Sequence, residues 1–401
     1  MPISPHGSML KDANPQTLSA GLTTSIWFLV GSLPLLIAVA ERLNASNAHT
    51  ASWIFVSYLA CGFSGIGLSL YYRQPIAIGW TIPGMVYIGT VAGQFSLSEI
   101  VGANIVAGLI ITVLGGFGLG GFVLRILPLP IVLGMFAGGI LSYVTRLVTA
   151  TIEDGVIGGA TIAGYLIGRF LDHQRLPPLL LALIFGGVAS ALVSNGQMPT
   201  VNWVAPSIIF PDVTFSVAAI LTIGLPMVIL SAGLGTVQGL GFLKSQGYEV
   251  AANAITLIVG IGSTISAIFG GVPTIVARSA GAILASTEAG PSQQRYVGAV
   301  VASFSLVVIA LFAMPLASLV GLLPKAYVVV LAGLAIFSAL QEAIEKAITS
   351  DMKSGALVAF CVAATPFSLL GITSSVWAIV AGLIMSAVVE REALSSASGE
   401  Q

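Results

Sequence analysis

One arginine, Arg278, lies inside an otherwise uncharged apolar run that opens at Pro273 and meets no carboxylate before Glu288. An arginine at the centre of a membrane-spanning helix costs about 2.5–3.5 kcal/mol on insertion scales, so it is rarely idle. Its planar guanidinium suits bidentate capture of a carboxylate. The competing reading pairs it with backbone carbonyls or sets it near the surface. Ala277 and Ser279 flank it at what reads as the first turn of a short helix, where unpaired N–H groups favour an anion. Residues 74–84 read the same way, as a short extended piece and then a helix start. Thr81 is the expected N-cap there, and Pro83 falls in the first turn, where its missing N–H costs little. Trp80 offers an aromatic wall for a flat substrate, with packing as its alternative role. Thr236 and Gln238, read as closing the eighth apolar segment after Pro226, offer polar contacts or else helix–helix hydrogen bonds.

The candidate binding set is therefore Arg278, Ser279, Ala277, Trp80, Thr81, Thr236 and Gln238. No catalytic set, metal site or cofactor is expected. His6, His49 and His173 read as loop or tail residues, and Glu342, Glu345 and Lys346 as a solvated end to the twelfth segment. No nucleotide-binding motif is visible, which disfavours an ATP-driven pump. An enzyme would need a carboxylate, histidine or cysteine cluster within the apolar segments, and none is apparent.

Two interrupted segments position these residues, and they belong to a duplication. Val30-Gly31-Ser32-Leu33-Pro34-Leu35 returns as Ile223-Gly224-Leu225-Pro226-Met227. A glycine-rich stretch over 61–67, closing at Pro75, returns over 260–266, closing at Pro273. Leu127-Pro128 returns as Leu323-Pro324, and Gly186 as Gly382. The offsets are 192, 198, 196 and 196. The 198 offset sets Trp80 against Arg278 and Thr81 against Ser279. Duplicated halves with broken helices in matching places point to a transporter.

With 56% hydrophobic and 7% charged residues, the chain belongs in a lipid bilayer, each span taking about 20 apolar residues. Apolar runs mark fourteen segments: 19–40, 51–70, 76–93, 99–119, 128–148, 156–171, 177–194, 214–236, 251–269, 273–287, 297–320, 324–344, 353–371 and 374–389. The third and tenth are too short and broken to span as simple helices. The expected fold is thus an all-α integral membrane protein of fourteen segments in a 7+7 inverted repeat. Segments three and ten are each a short strand plus a half-helix. The halves cover 19–194 and 214–389, between cytoplasmic tails at 1–18 and 390–401. Lys11, Arg73, Arg125, Arg169, Arg175, Lys244, Arg295, Lys346, Lys353 and Arg391 then fall inside, and only Arg42, Arg146 and Lys325 outside, as the positive-inside rule requires. Cys61 and Cys361 read as packing residues within segments, not as a disulfide. A net charge of −1 gives no reason to expect nucleic acid.

At these residues the chain resembles the bacterial benzoate:proton symporter (BenE-type) family over nearly its whole length. Trp80-Thr81-Ile82-Pro83-Gly84 is similar to the family's Trp-Ser-Thr-Pro-Gly element. Leu225-Pro226, followed by Gly239-Leu240 and Leu243 to Gly247-Tyr248, resembles its eighth-span region. Leu323-Pro324-Lys325-Ala326, leading into Leu331-Ala332-Gly333-Leu334-Ala335, matches most closely. The resemblance implies the fold shared with uracil/xanthine permeases and SulP-type anion transporters, with a core of spans 1–4 and 8–11 and a gate of spans 5–7 and 12–14. Two departures stand out. Gly235-Thr236 replaces the family's Gln-Asn, and Ile275-Val276-Ala277-Arg278 replaces its Asn-Leu-Ala-Ala run, nearer the SulP pattern. The expectation is a secondary transporter of the bacterial inner membrane that imports benzoate or a related small carboxylate with protons. A homodimer is an assembly this leaves open. The alternatives are a SulP-like inorganic anion carrier or exchanger, and an anion channel.

Overall fold

The computed structural model describes residues 9–119, 128–171, 177–193, 203–320 and 323–394. Arg125, Arg175, His6, His173 and the outermost parts of both tails lie outside the described residues. Among the described residues, six helices are long and apolar enough to cross a membrane: α1 (Pro15–Arg42), α2 (Asn47–Tyr72), α4 (Leu97–Gly116), α5 (Leu129–Glu153), α8 (Val217–Ser245) and α12 (Lys325–Ile348). Shorter apolar helices are α6 (Gly155–Leu171), α7 (Pro178–Val193), α9 (Ala252–Ile268), α11 (Tyr296–Leu311), α13 (Lys353–Ala364) and α14 (Ser374–Val389). The third and tenth segments are a strand and half-helix each: β1 (Ile78–Trp80) with α3 (Ile82–Thr90), and β2 (Thr274–Val276) with α10 (Arg278–Leu284).

Helix starts follow local chemistry. The Asn14 side chain accepts from the N–H of Gln16 (2.9 Å) and Thr17 (3.0 Å), while Thr17 Oγ1 accepts from Asn14 N at 3.1 Å. Ser96 and Glu99 build the same reciprocal box at the start of α4. Segment thirteen departs from expectation. Its helix stops at Ala364, and the residues beyond form a hairpin of β3 (Ser368–Leu369) and β4 (Ile372–Thr373). Pro366 pushes Thr365 out of helical backbone, and Leu370 and Gly371 turn the chain with φ of 56° and 75°. Segment eleven breaks at Phe312 and resumes over Ala313–Val320. His49 is the third residue of α2 and not a loop residue; its Nδ1 lies 2.8 Å from Ser46 Oγ.

β1 and β2 pair antiparallel, with Ile78 opposite Val276, Gly79 opposite Ile275 and Trp80 opposite Thr274. The ladder closes symmetrically: Thr81 N donates to Pro273 O at 2.9 Å, and Ala277 N donates to Ala77 O at 2.8 Å. A local two-fold axis therefore passes between Gly79 and Ile275 and exchanges Thr81 with Ala277, each the N-cap of its half-helix. This corrects the register expected from the prolines. The partner of Trp80 in the repeat is Val276, and the partner of Arg278 is Ile82. Pro75 and Pro273 mark entry into each segment, whereas the ladder bonds set the register, two residues away.

The same exchange governs the helices. α9 packs along α4, and α11 packs along α2, each being the other's image in the repeat. Small residues bring these pairs together: a Cβ on Gly260 would stand 2.4 Å from Thr112 N, and one on Gly108 would stand 2.7 Å from Thr264 N. Such backbone approach is how helices gain dispersion energy in lipid. A second group forms where α5 holds α12 and α13, with α6 against α7 and α13 against α14. The groups meet where α1 touches α12 and α3 touches α5.

α8 is the irregular helix. π-helical turns cover Ile220–Gly224 and Ile229–Val237, on either side of Pro226. Proline has no N–H for the carbonyl four residues back, which here is Thr222 O. The Tyr87 hydroxyl of α3 donates to that oxygen instead, at 2.5 Å. Thr236 and Gln238 therefore do not close the segment; the helix runs on to Ser245.

Candidate functional site

The Thr81 side chain accepts from Gly84 N at 3.1 Å and spends one free donor of α3. Ala277 has no side chain to do the same for α10. Both caps are buried, whereas the next two residues turn outward: Ile82 and Pro83 partly, Arg278 and Ser279 further. The ladder brings Trp80, Thr81 and Ala277 together. Trp80 is 4% exposed and sits beside the Tyr58 phenol, which lies 3.1 Å from Ser32 Oγ.

The stretch of α8 from its second π-helical turn to Gly239 packs on β2 because its glycines permit it. A Cβ on Gly239 would lie 2.3 Å from Val276 O, and one on Gly235 would lie 2.5 Å from Ile275 Cγ2. Thr236 sits in this contact, fully buried, with its hydroxyl unbonded; Ser231 and Thr222 of the same helix are in the same condition. Gln238, two residues on, is half-buried.

Arg278 points away from this cluster. Its Nη1 donates to Glu342 Oε1 of α12 at 2.5 Å, and Lys346 Nζ donates to the same oxygen at 2.6 Å. Sequence gave Arg278 no acidic partner because the partner lies 64 residues on, in the other helix group. Glu342 is solvated, as expected, and also bridges the two groups. Arg278 thus stands on a carboxylate already.

A second feature had no place in the candidate set. A cavity of about 720 Å³ lies between the two groups, lined by the ends of α1 and α3 and by α5, α12 and the β4–α14 junction. Its charged lining residues are Arg42, Arg146, Lys325 and Glu41. The Arg42 guanidinium sits 4.3 Å from the centroid of the Tyr143 ring, whose hydroxyl donates to Val86 O at 3.3 Å. Seventeen residues of α12 separate Lys325 from Glu342, about 25 Å along the axis. The cavity and the Arg278 pair therefore lie towards opposite ends of the molecule. The available signal was the placement of the basic residues: these three are the ones assigned to the sparsely charged side.

Residues 11–388 match the family described as benzoate membrane transport protein. The chain belongs to that family. It is 28% identical over 377 residues to the inner membrane protein YdcO of Escherichia coli K12, covering 92% of this chain and 94% of that one. It is 27% identical over 370 residues to the benzoate membrane transport protein of Acinetobacter baylyi, covering 91% and 93%. Among solved structures, the transmembrane domain of the cyanobacterial bicarbonate transporter BicA matches with a TM-score of 0.59 at 19% identity, over 98% of both chains. The murine anion transporter Slc26a9 in its inward-facing state matches with 0.64 at 13%, over 95% of this chain and 69% of that one. At those identities the likeness is one of fold, and it is the inverted-repeat transporter fold expected above. This member of the benzoate transport family is a multi-pass membrane transporter.

Proposed function

We propose that the protein is a secondary transporter that imports benzoate or a related small aromatic carboxylate across a bacterial inner membrane, with protons as the coupling ion. The observation that carries this reading is Arg278, charged and accessible at the opening of a half-helix, with its Nη1 on a carboxylate. In the transport cycle the substrate carboxylate takes the place of Glu342 on Arg278. Lys346 keeps Glu342 paired when Arg278 turns to substrate, so no carboxylate is left without a cation. Ser279 and the first turn of α10 add donors, while Trp80, Thr81, Thr236 and Gln238 support the strand pair and half-helix from which Arg278 projects. The helix group α1–α4 and α8–α11 acts as a core that slides or rocks against the gate α5–α7 and α12–α14. Both chain ends face the cytoplasm, and the cavity opens outward. The proton as coupling ion is supported by the family likeness alone.

A second reading, transport of an inorganic anion, is favoured by Arg278 standing where the family's own pattern has alanine. A thermal-shift screen of the purified protein against benzoate, other aromatic acids, sulfate, bicarbonate and nucleobases separates the two. Stabilisation by aromatic acids supports the first reading, and stabilisation by sulfate or bicarbonate alone replaces it with the second.

A further inference from the structure

We propose that the cavity bounded by Arg42, Arg146 and Lys325 is an anion-collecting antechamber, a binding site separate from Arg278. Three cations line it against one carboxylate, Glu41. Among the described residues the salt bridges are Arg73–Asp12, Arg278–Glu342 and Lys346–Glu342, so none of the three cavity cations is neutralised by a carboxylate. Arg42 is held in place all the same. It stacks on Tyr143, and its Nη1 is enclosed without a hydrogen bond, so its charge is fixed at the wall and unspent.

Placement adds to this. The cavity reaches from Lys325 down α12 to Ala332, seven residues or about 10 Å, and along α5 to Gly138 near the helix centre. A cleft with low-dielectric walls and an excess of one sign of charge, here three cations against Glu41, concentrates counter-ions; where one sign lines the cleft, on-rates rise by about 10–10³-fold. Basic residues are disfavoured on the outer face of a membrane protein, and the three assigned there all converge on this one cavity from three different helices. Retention for solubility or orientation does not explain that convergence; attraction of an anion does. The identity of the anion, a small aromatic carboxylate, rests on the function proposed above, whereas the charge selectivity of the cavity does not.

The experiment places a cysteine at Gly139, where a side chain meets open space, in a Cys361→Ser background; Cys61 is buried and stays. Ser142→Cys serves as a second position should the first fail to fold. Reaction rates with an anionic and a cationic methanethiosulfonate of similar size are measured in proteoliposomes at low salt, each normalised to a small thiol in solution. The expected result is an anion preference of about tenfold. It falls towards unity in Arg146→Gln/Lys325→Gln and in high salt, and benzoate protects the cysteine. A normalised preference near one at both positions overturns the proposal, as does a preference that survives neutralisation. Charge preference with protection by sulfate and none by benzoate upholds the antechamber and overturns the aromatic-carboxylate reading.

Discussion

The two ends of the molecule treat their cations differently. At the end that holds the N-terminal segment, Arg73 lies 2.5 Å from Asp12, Tyr296 donates to the same carboxylate at 2.7 Å, and Arg278 and Lys346 share Glu342. Arg295 donates to Ala285 O and Gly290 O, both at 2.7 Å, and so satisfies the end of α10. At the other end Arg42, Arg146 and Lys325 line an open cavity, and none of the described carboxylates is bound to them. Paired cations hold elements together, and unpaired cations around a cavity leave their field for a ligand. The contrast separates cations committed to carboxylates, Arg278 among them, from cations that are not.

The contrast breaks most visibly at Asp12. Its removal strips Arg73 and Tyr296 of a shared acceptor in a partly buried site, so Asp12→Ala is expected to lower stability by about 1–3 kcal/mol. Thermal unfolding in detergent measures this, and an unchanged midpoint would count against a structural role for the pair. Glu342→Gln keeps the shape and removes the charge that competes for Arg278. It is expected to tighten substrate binding several-fold, by about 1 kcal/mol, as read by titration.

Glu390 gives a smaller effect. It accepts from Ser354 N (2.6 Å), Gly355 N (3.1 Å) and Ser386 Oγ (2.9 Å), capping α13 from the end of α14. Burial works to raise its pKa, but these hydrogen bonds outweigh burial and hold the carboxyl below its usual range. A carboxyl depressed in the folded state adds stability above its unfolded pKa, and that stability is lost as pH falls through the folded value. Glu390→Gln should therefore lower the neutral-pH midpoint slightly, by about 1 kcal/mol at most, and flatten the acid limb. Parallel acid limbs in the two proteins would contradict this. The smallest effect belongs to the open end: Arg146→Gln/Lys325→Gln should leave stability within about 0.5 kcal/mol of the parent. A large loss of stability would show those cations to be structural.

Much of the architecture is written in proline and glycine. Pro83 behind Thr81 announces a capped half-helix, and the duplicated breaks announce the inverted repeat. The ladder register is less legible, because Pro75 and Pro273 mark chain entry while hydrogen bonds at Ala77, Thr81, Pro273 and Ala277 decide pairing. Pro226 marks a break in α8 but not the π-helical turns around it, nor the Tyr87 hydroxyl that reaches Thr222 O from another element. The partner of Arg278 is a tertiary fact, out of reach of a reading that looked for acids within the same segment. Arg42, Arg146 and Lys325 were visible as exceptions to a charge rule, yet their convergence appears only once α1, α5 and α12 are assembled.

Calorimetric titration of benzoate into the purified protein and its Arg278 variants tests the central claim most directly. The parent is expected to bind. Arg278→Lys keeps the charge without the planar fork and should retain part of the affinity. Arg278→Ala should remain folded and lose binding by about 100-fold or more, the scale of a lost charge-assisted pair. Near-normal affinity in Arg278→Ala would contradict a carboxylate held on that guanidinium.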